Sequence, residues 1–247
     1  MAAQPVDRVR RVLSLLLGAL GVPIYNWWIT VPFIPGLLRS PNGFFSDVEA
    51  SGLRDSRYFQ HADILSGILW FFALIVRGRH GRDGTPREEW PWYLAFTCFA
   101  TLGGVFVYAC PEGASAVCRN LEWHFKLPLH HYVHAIAGVA EFATASVALV
   151  IATRRSAKAA ARTARTYRAL LIVLLVSYPL LGVAYLTDRL GAIVEPIFFL
   201  LFTVVISLEL IEPRMATAET RPNAVDAVSP GQALSRRGDG APLRAEE

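Results

Sequence analysis

Six apolar stretches divide the chain, and each has, or nearly has, the length of a bilayer-spanning helix. Such a helix needs about 20 predominantly apolar residues. The stretches cover residues 12–33, 62–77, 91–110, 129–152, 168–187 and 191–211. The second is short by itself, and we expect its helix to begin earlier, near Phe59. The pattern predicts an all-α polytopic membrane protein, a six-helix transmembrane bundle over residues 12–211.

Basic residues between these stretches indicate how the chain is oriented. Of the 24 lysines and arginines, 18 lie on one side if the N-terminus is inside, and 6 lie on the other. Lysine and arginine near span ends favour the cytoplasmic side. Both termini are therefore expected to be cytoplasmic, with residues 1–11 as a short N-terminal segment. The net charge of +4 then belongs to topology and to anionic lipid, and no nucleic-acid partner is expected.

The two ends of the chain differ in composition. The first apolar stretch contains Tyr25-Asn26-Trp27-Trp28 and offers no small-residue cleavage site, so we expect a retained helix and no signal peptide. Residues 212–247 are rich in Ala, Pro, Gly and charged residues without an apolar period, which predicts a disordered cytoplasmic tail. Abundant alanine and only two lysines are typical of a GC-rich bacterial genome, so the expected location is a bacterial plasma membrane.

Two of the three cysteines lie in one predicted outer loop. Cys110 and Cys118 are separated by seven residues, and disulfides persist on the extracytoplasmic side. We predict a disulfide between them, with free thiols or a metal site that includes His124 as the alternatives. Cys98 lies among apolar residues, where we expect it to pack without reacting.

Five of the six histidines fall at the predicted outer face. His130, His134 and Glu141 are spaced i, i+4 and i+11 on the fourth helix, so they share one stripe, and His131 lies about a quarter-turn away. Two histidines four residues apart on a helix can chelate one metal ion. His130 and His134, together with His61 of the second helix, are therefore candidate zinc ligands.

Acidic residues accumulate at the same face. Glu141 and Glu195 lie within or at the edge of apolar stretches, where an ionised carboxylate is costly and usually has a partner or a function. The predicted polar pocket consists of Asp47, Glu49, Asp63, His131 and Glu195. The candidate catalytic residues are Asp63, Glu141 and Ser46. The alternative is structural, because acids and histidines at helix ends commonly cap backbone groups or pair with one another.

The order of several short motifs resembles a known family. They are Ser46-Asp47-Val48-Glu49, then Phe59 with Asp63 and Gly67, then Gly103-Gly104, then Pro111-Glu112, then His130-His131. This order is similar to that of the bacterial six-helix membrane family known as domain of unknown function 998, over about residues 10–211. An aspartate is expected shortly after the third helix, where this chain has Glu112 and two cysteines. The resemblance implies a fold and a topology and no particular reaction.

A looser similarity is to ceramidase-like membrane hydrolases, which combine a serine, an aspartate and three histidines around zinc. Here Ser46 or Ser66 and Asp63 would take the first two roles. The histidines would be His61, His130 and His134. Those enzymes are seven-helical, whereas this chain shows six apolar stretches.

Three functional hypotheses follow, and whether the chain is an enzyme stays open. The first is an accessory envelope protein that recognises membrane lipid, or another envelope membrane protein, through the outer polar pocket. The second is a zinc-dependent hydrolase of a lipid amide or ester. The third is a proton- or ion-coupled transporter that uses Glu141 and Glu195, although the sequence has no visible inverted repeat.

Overall fold

Helices make up the regular structure of the computed structural model, which describes residues 5–34, 44–53, 55–80, 85–111, 115–157, 161–187 and 189–212. The α-helices are α1 (Pro5–Tyr25), α2 (Ser56–Arg77), α3 (Trp90–Val105), α4 (Ala116–Trp123), α5 (Leu129–Ser156), α6 (Ala161–Thr187) and α7 (Gly191–Ile211). Two 3₁₀ helices cover Trp27–Phe33 and Phe45–Glu49. These residues contain no β-strand, which confirms the all-α prediction. The predicted tail beyond Glu212 lies outside the described residues.

Five segments are long and apolar enough to cross a membrane: Arg8–Phe33, Ser56–Arg77, Leu129–Ser156, Thr163–Thr187 and Gly191–Ile211. The chain is thus a polytopic membrane protein by the length and composition of its helices. The remaining predicted span, the third along the chain at residues 91–110, is shorter than expected, because α3 has 16 residues. At about 1.5 Å per residue it extends about 24 Å, less than the hydrocarbon core of about 30 Å.

The early end of α3 has a local cause. Gly103 and Gly104 weaken the last turn, and the backbone of Phe106 is extended, with φ −103° and ψ 104°. Gly104 also lies directly against α2. A Cβ atom at this position would approach the carbonyl oxygen of Gln60 to 2.8 Å, so only glycine permits this contact.

The six long helices form a closed ring in which each packs against the next. The order is α1, α2, α3, α5, α6 and α7, and α7 returns to α1 while also contacting α2 and α5. Aromatic rings from three helices meet inside the ring: Phe202 of α7 packs against Phe96 of α3 and Phe142 of α5, with ring centroids 5.6 and 5.3 Å apart. The sequence pattern does not predict this order, because it does not say which helices are neighbours.

Buried ion pairs join the helices at the end of the ring that holds Arg155, which we call the inner end. Arg87 Nη1 lies 2.6 Å from Glu209 Oε1, with both side chains buried. Arg155 lies 2.7 Å from Glu89 and donates two bonds, of 3.0 and 2.9 Å, to Glu212. Burial opposes ionisation of Glu212, but the bonds from Arg155 and the charge of Arg87 outweigh it and hold the pKa of Glu212 below its usual range.

Candidate functional site

The chain breaks its helical course at Asn26, between α1 and the 3₁₀ helix Trp27–Phe33. The residues on either side of this break after α1 donate hydrogen bonds within the outer half of the ring, opposite the inner end. Tyr25 donates its hydroxyl to Glu141 Oε1 at 2.9 Å, and Trp27 donates its indole N–H to Asp63 Oδ1 at 2.5 Å. Asn26, between them, donates its side-chain amide to Thr203 Oγ1 of α7 at 2.8 Å. The chain leaves α1 in a fixed position, and the two aromatic residues reach α5 and α2.

The 3₁₀ helix Phe45–Glu49 lies against the start of α7. The backbone N–H groups of Phe45 and Ser46 both donate to Glu195 Oε2, and the Ser46 hydroxyl bonds the same carboxyl group. Asp47 accepts a bond from the backbone N–H of Phe44 at 3.1 Å, which caps the 3₁₀ helix. Glu195 therefore has a structural task, because it satisfies donors at the start of a short helix.

Glu49, at the other end of the 3₁₀ helix, faces α2. Its side chain is 2% exposed, and its carboxyl group lies close enough to that of Asp63 for the two to interact directly. Two carboxyl groups can form a hydrogen bond to each other only when one of them carries a proton. Burial and the neighbouring charge of Asp63 raise the pKa of Glu49 well above its usual range. Burial beside a second carboxyl group therefore favours the protonated form of Glu49.

Glu49, Asp63, Glu141 and Glu195 together form what we call the carboxyl cluster. Asp63 is half-buried and the other three are buried. Their main charged neighbours are one another. Within the described residues, no lysine or arginine forms an ion pair with any of the four. Four uncompensated negative charges in an apolar surrounding are too costly to persist, so the cluster must hold protons or a cation.

The cluster extends inward from the outer end of the ring. Glu195 lies four residues into α7, Asp63 seven residues into α2 and Glu141 twelve residues into α5. At about 1.5 Å per residue these depths are about 6, 10 and 18 Å along the three helices. Titratable groups thus lie at successive depths from the outer end almost to the middle of α5.

The buried histidines lie apart from this cluster, beside the chain that follows α3. His134 Nδ1 is 2.8 Å from the carbonyl oxygen of Gly103 and 2.6 Å from that of Phe106, so Nδ1 carries the proton and joins α5 to the end of α3. His131 Nδ1 accepts a bond from the backbone N–H of Ala109 at 3.2 Å. Both rings pack against Tyr108, with centroid distances of 5.0 and 4.0 Å.

The predicted zinc ligands are not assembled. His61 is exposed on α2, His130 is half-buried at the start of α5, and His134 is bonded to the backbone after α3. Among the residues that the structure describes, no three His, Cys, Asp or Glu side chains are placed to hold a metal ion. The i, i+4 spacing on α5 correctly puts two histidines on one side of a helix. It does not bring the third ligand to them.

The predicted catalytic serines also lack a histidine partner in the described contacts. The Ser46 hydroxyl bonds Glu195, and the Ser66 hydroxyl donates to the carbonyl oxygen of Asp63 within α2, at 2.9 Å. Neither serine therefore has the histidine base that the hydrolase hypothesis requires of it in the described contacts. Asp63 and Glu141 instead accept bonds from Trp27 and Tyr25.

The two outer cysteines are bonded to each other. Sγ of Cys110 is joined to Sγ of Cys118, which links the chain after α3 to the first turn of α4. Ser115 caps this helix by accepting a bond from the backbone N–H of Cys118 at 3.2 Å. Glu112, which stands where the resemblance leads us to expect an aspartate, lies outside the described residues.

A comparison with known protein families shows to which family the chain belongs. The profile of the family described as "Protein of unknown function (DUF998)" matches residues 6–210. The chain belongs to the DUF998 family. No curated protein and no solved structure matches the sequence. The similarity to ceramidase-like hydrolases thus has no support, whereas the resemblance to DUF998 is confirmed over nearly the same residues.

The DUF998 chain has functional candidates that the sequence pattern missed. Tyr25 and Trp27 look like ordinary interfacial aromatics at the end of a span, yet both bond carboxyl groups of the cluster. Glu209 lies in the last turn of a strongly apolar helix, and its buried partner Arg87 precedes α3. A single acid within an apolar stretch is a signal for a partner. That signal was present for Glu209 as it was for Glu195.

Proposed function

We propose that this DUF998 protein is a proton-binding membrane protein of the ion-coupled transporter class, with the carboxyl cluster as its coupling site. The main support is that the carboxyl groups of this cluster interact with one another, and that none of them forms an ion pair with a lysine or arginine among the described residues. Ionisable groups inside a membrane domain mark ion or proton pathways more often than they stabilise the fold.

The proposed topology has six crossings, with both termini cytoplasmic, in a bacterial plasma membrane. Two observations support a crossing by α3, the one predicted span that is too short to be counted by length alone. α3 completes the ring of long helices between α2 and α5, and the chain continues after it to Cys110. The distribution of arginines supports the orientation. The carboxyl cluster then lies toward the extracytoplasmic side, and the inner ion pairs lie at the cytoplasmic side.

A proton suits this site better than a metal ion. Tyr25, Trp27 and backbone N–H groups already donate to the carboxyl oxygens, and aromatic rings pack around Tyr25. A metal ion would need several of these oxygens at once, and no such group is placed for one in the described part of the chain. A proton needs no space of its own, and the neighbouring carboxyl groups of Glu49 and Asp63 can hold one between them.

Coupling would act through the break after α1. Hydrogen bonds to ionised acceptors are roughly twice as strong as those to neutral ones. Protonation of Glu141 weakens the bond from Tyr25, and protonation of Asp63 weakens the bond from Trp27. Both aromatic residues flank the same break, so the charge of the cluster controls how firmly the end of α1 is held against α5 and α2.

The proposal is tested by a rapid external pH jump on proteoliposomes attached to a solid-supported membrane. Protons that enter a site at this depth displace charge and give a transient current. We expect the current in wild type and in Glu88→Gln, an exposed acid far from the cluster. It should be reduced in Asp63→Asn and Glu141→Gln. Equal currents in all four proteins, or none above protein-free vesicles, would contradict the proposal.

The other hypotheses have less support. Recognition of a lipid or an envelope partner requires an open pocket, but Asp47, Glu49 and Glu195 are buried, and Asp47 and Glu195 accept bonds from the backbone. The recognition of a membrane lipid, or of another envelope membrane protein, therefore stays a prediction. The zinc hydrolase has no support here, because the described residues contain no group of three metal-binding side chains and the two serines contact no histidine there.

A further inference from the structure

The helix α4 and its connection to α5 expose large apolar side chains. We call this segment, residues 115–129, the outer elbow. Within it, Phe125 is 82% exposed, Leu129 is 78% exposed and Trp123 is 57% exposed. Three large apolar side chains so close in the chain form an exposed surface that needs a reason. None of them belongs to the carboxyl cluster.

The elbow is held rigidly in spite of its exposure. Phe125 has φ +54°, a left-handed conformation that is unusual for an aromatic residue. Backbone bonds of 2.9 Å from Phe125 to Glu122 and from Lys126 to Leu121 fix the turn. The disulfide of Cys110 and Cys118 ties the other end of α4 to the chain after α3. The structure thus presents the Phe125 ring outward from a constrained turn.

The exposed ring continues the apolar stripe of α5. Leu129, Ile136 and Val139, spaced i, i+7 and i+10, share one side of the helix, and each is at least two-thirds exposed. Tyr132 lies on the same side, and its ring stacks on Phe125 with the centroids 5.6 Å apart. Because α5 is long and apolar enough to span a membrane, this stripe is a lipid-facing surface.

The neighbouring helix gives the elbow a second link to the lipid-facing surface. Arg119 of α4 donates to the carbonyl oxygen of Tyr185, near the end of α6, and its guanidinium lies 5.5 Å from the Tyr185 ring. Trp123 packs beside the same ring, at 6.4 Å. Leu186, next to Tyr185, is exposed. The elbow thus lies at the outer ends of α5 and α6.

We propose that the outer elbow is a membrane-interface anchor, in which Trp123, Phe125 and Leu129 enter the boundary between head groups and acyl chains of the outer leaflet. Aromatic residues favour this zone, and the adjacent Lys126 can reach lipid phosphates while its stem stays among apolar groups. The occupant is lipid, because the surface is continuous with a lipid-facing stripe. This role is independent of the proposed proton site.

Depth-dependent quenching of a fluorophore tests the anchor. Single cysteines are introduced in a Cys98→Ala background with the native disulfide intact, labelled, and reconstituted in phosphatidylcholine vesicles. Phe125→Cys reports the elbow, and Ile136→Cys reports the lipid-facing stripe. Ser51→Cys is the water-facing control, because Ser51 is exposed and its backbone N–H is held by Tyr108 at 2.8 Å.

We expect nitroxide lipids labelled near the head group to quench the fluorophore at position 125 at least threefold more than at position 51. Aqueous iodide should show the reverse order. Tryptophan fluorescence of the wild type and of Trp123→Phe provides a label-free check. If Trp123 is an interfacial residue, brominated lipids should quench a smaller fraction of the emission of Trp123→Phe than of the wild type. Iodide quenching at position 125 equal to that at position 51 would overturn the anchor. Protection from both quenchers would also overturn it and indicate a protein partner.

Discussion

Replacement of Glu49 by glutamine should change how stability depends on pH. The substitution keeps the size of the side chain and removes its titrating proton. Burial and the charge of Asp63 raise the pKa of Glu49 well above its usual range, whereas the unfolded chain has a pKa of about 4.3. Between these two values the folded protein holds a proton that the unfolded protein has released.

The sign and slope of the effect follow from linkage. For an acid whose pKa is raised by folding, its contribution to stability is complete below the unfolded pKa and is lost as the pH rises toward the folded pKa. One proton gives a slope of about 1.4 kcal/mol for each pH unit in this window. Above about pH 4.3 the wild type should therefore lose stability steadily relative to Glu49→Gln, until the pH reaches the pKa of Glu49 in the folded protein.

The measurement is denaturant unfolding in detergent micelles, followed by tryptophan fluorescence at several values between about pH 5 and pH 8. The difference between the wild-type and Glu49→Gln free energies reports the titration of Glu49 together with that of Asp63, with which it interacts directly. Glu88→Gln, an exposed acid before α3, should leave the wild-type curve unchanged. A constant difference between wild type and Glu49→Gln across this range would refute the reasoning, because it would mean that Glu49 titrates alike in both states.

Two further predictions concern stability. Glu209→Gln leaves the buried Arg87 without its closest partner at 2.6 Å, and should cost about 3–5 kcal/mol of unfolding free energy. The double variant Arg87→Met/Glu209→Met should recover much of this loss. Additive losses in a double-mutant cycle would disprove the coupling between the two residues. Gly104→Ala places a Cβ 2.8 Å from the carbonyl oxygen of Gln60 and should cost about 1–3 kcal/mol, whereas Gly138→Ala, whose Cβ meets nothing within 4 Å, should be neutral or stabilising in the same thermal assay.

The sequence predicts the long helices well because a bilayer imposes a length on them. The window 191–211 coincides with α7, and the window 129–152 has the same start as α5. α2 begins at Ser56, close to the expected start near Phe59. The helix α4 was not predicted, since eight partly polar residues carry no length signal and depend on a cap and a disulfide.

The candidate site is only partly readable because periodicity describes one helix at a time. The stripe of His130, His134 and Glu141 on α5 is real, but its residues meet different neighbours. His134 faces the end of α3, while Glu141 faces Tyr25 of α1. Which neighbour each residue meets depends on the order of helices in the ring, and a single sequence does not contain that order.

The two ends of the ring differ in how their charges are balanced, and this difference bears on motion. At the inner end, Glu209 and Glu212 are neutralised by Arg87 and Arg155, so the charge there is fixed and α7 is held. At the outer end, Glu195 of the same helix belongs to the carboxyl cluster, for which we propose that protons balance the charge. Because α7 also packs against α1, a change in protonation would act on the outer ends of both helices while their inner ends stay fixed. Any proton-driven movement should therefore be a pivot about the inner ion pairs, largest beside Glu195 and the break after α1.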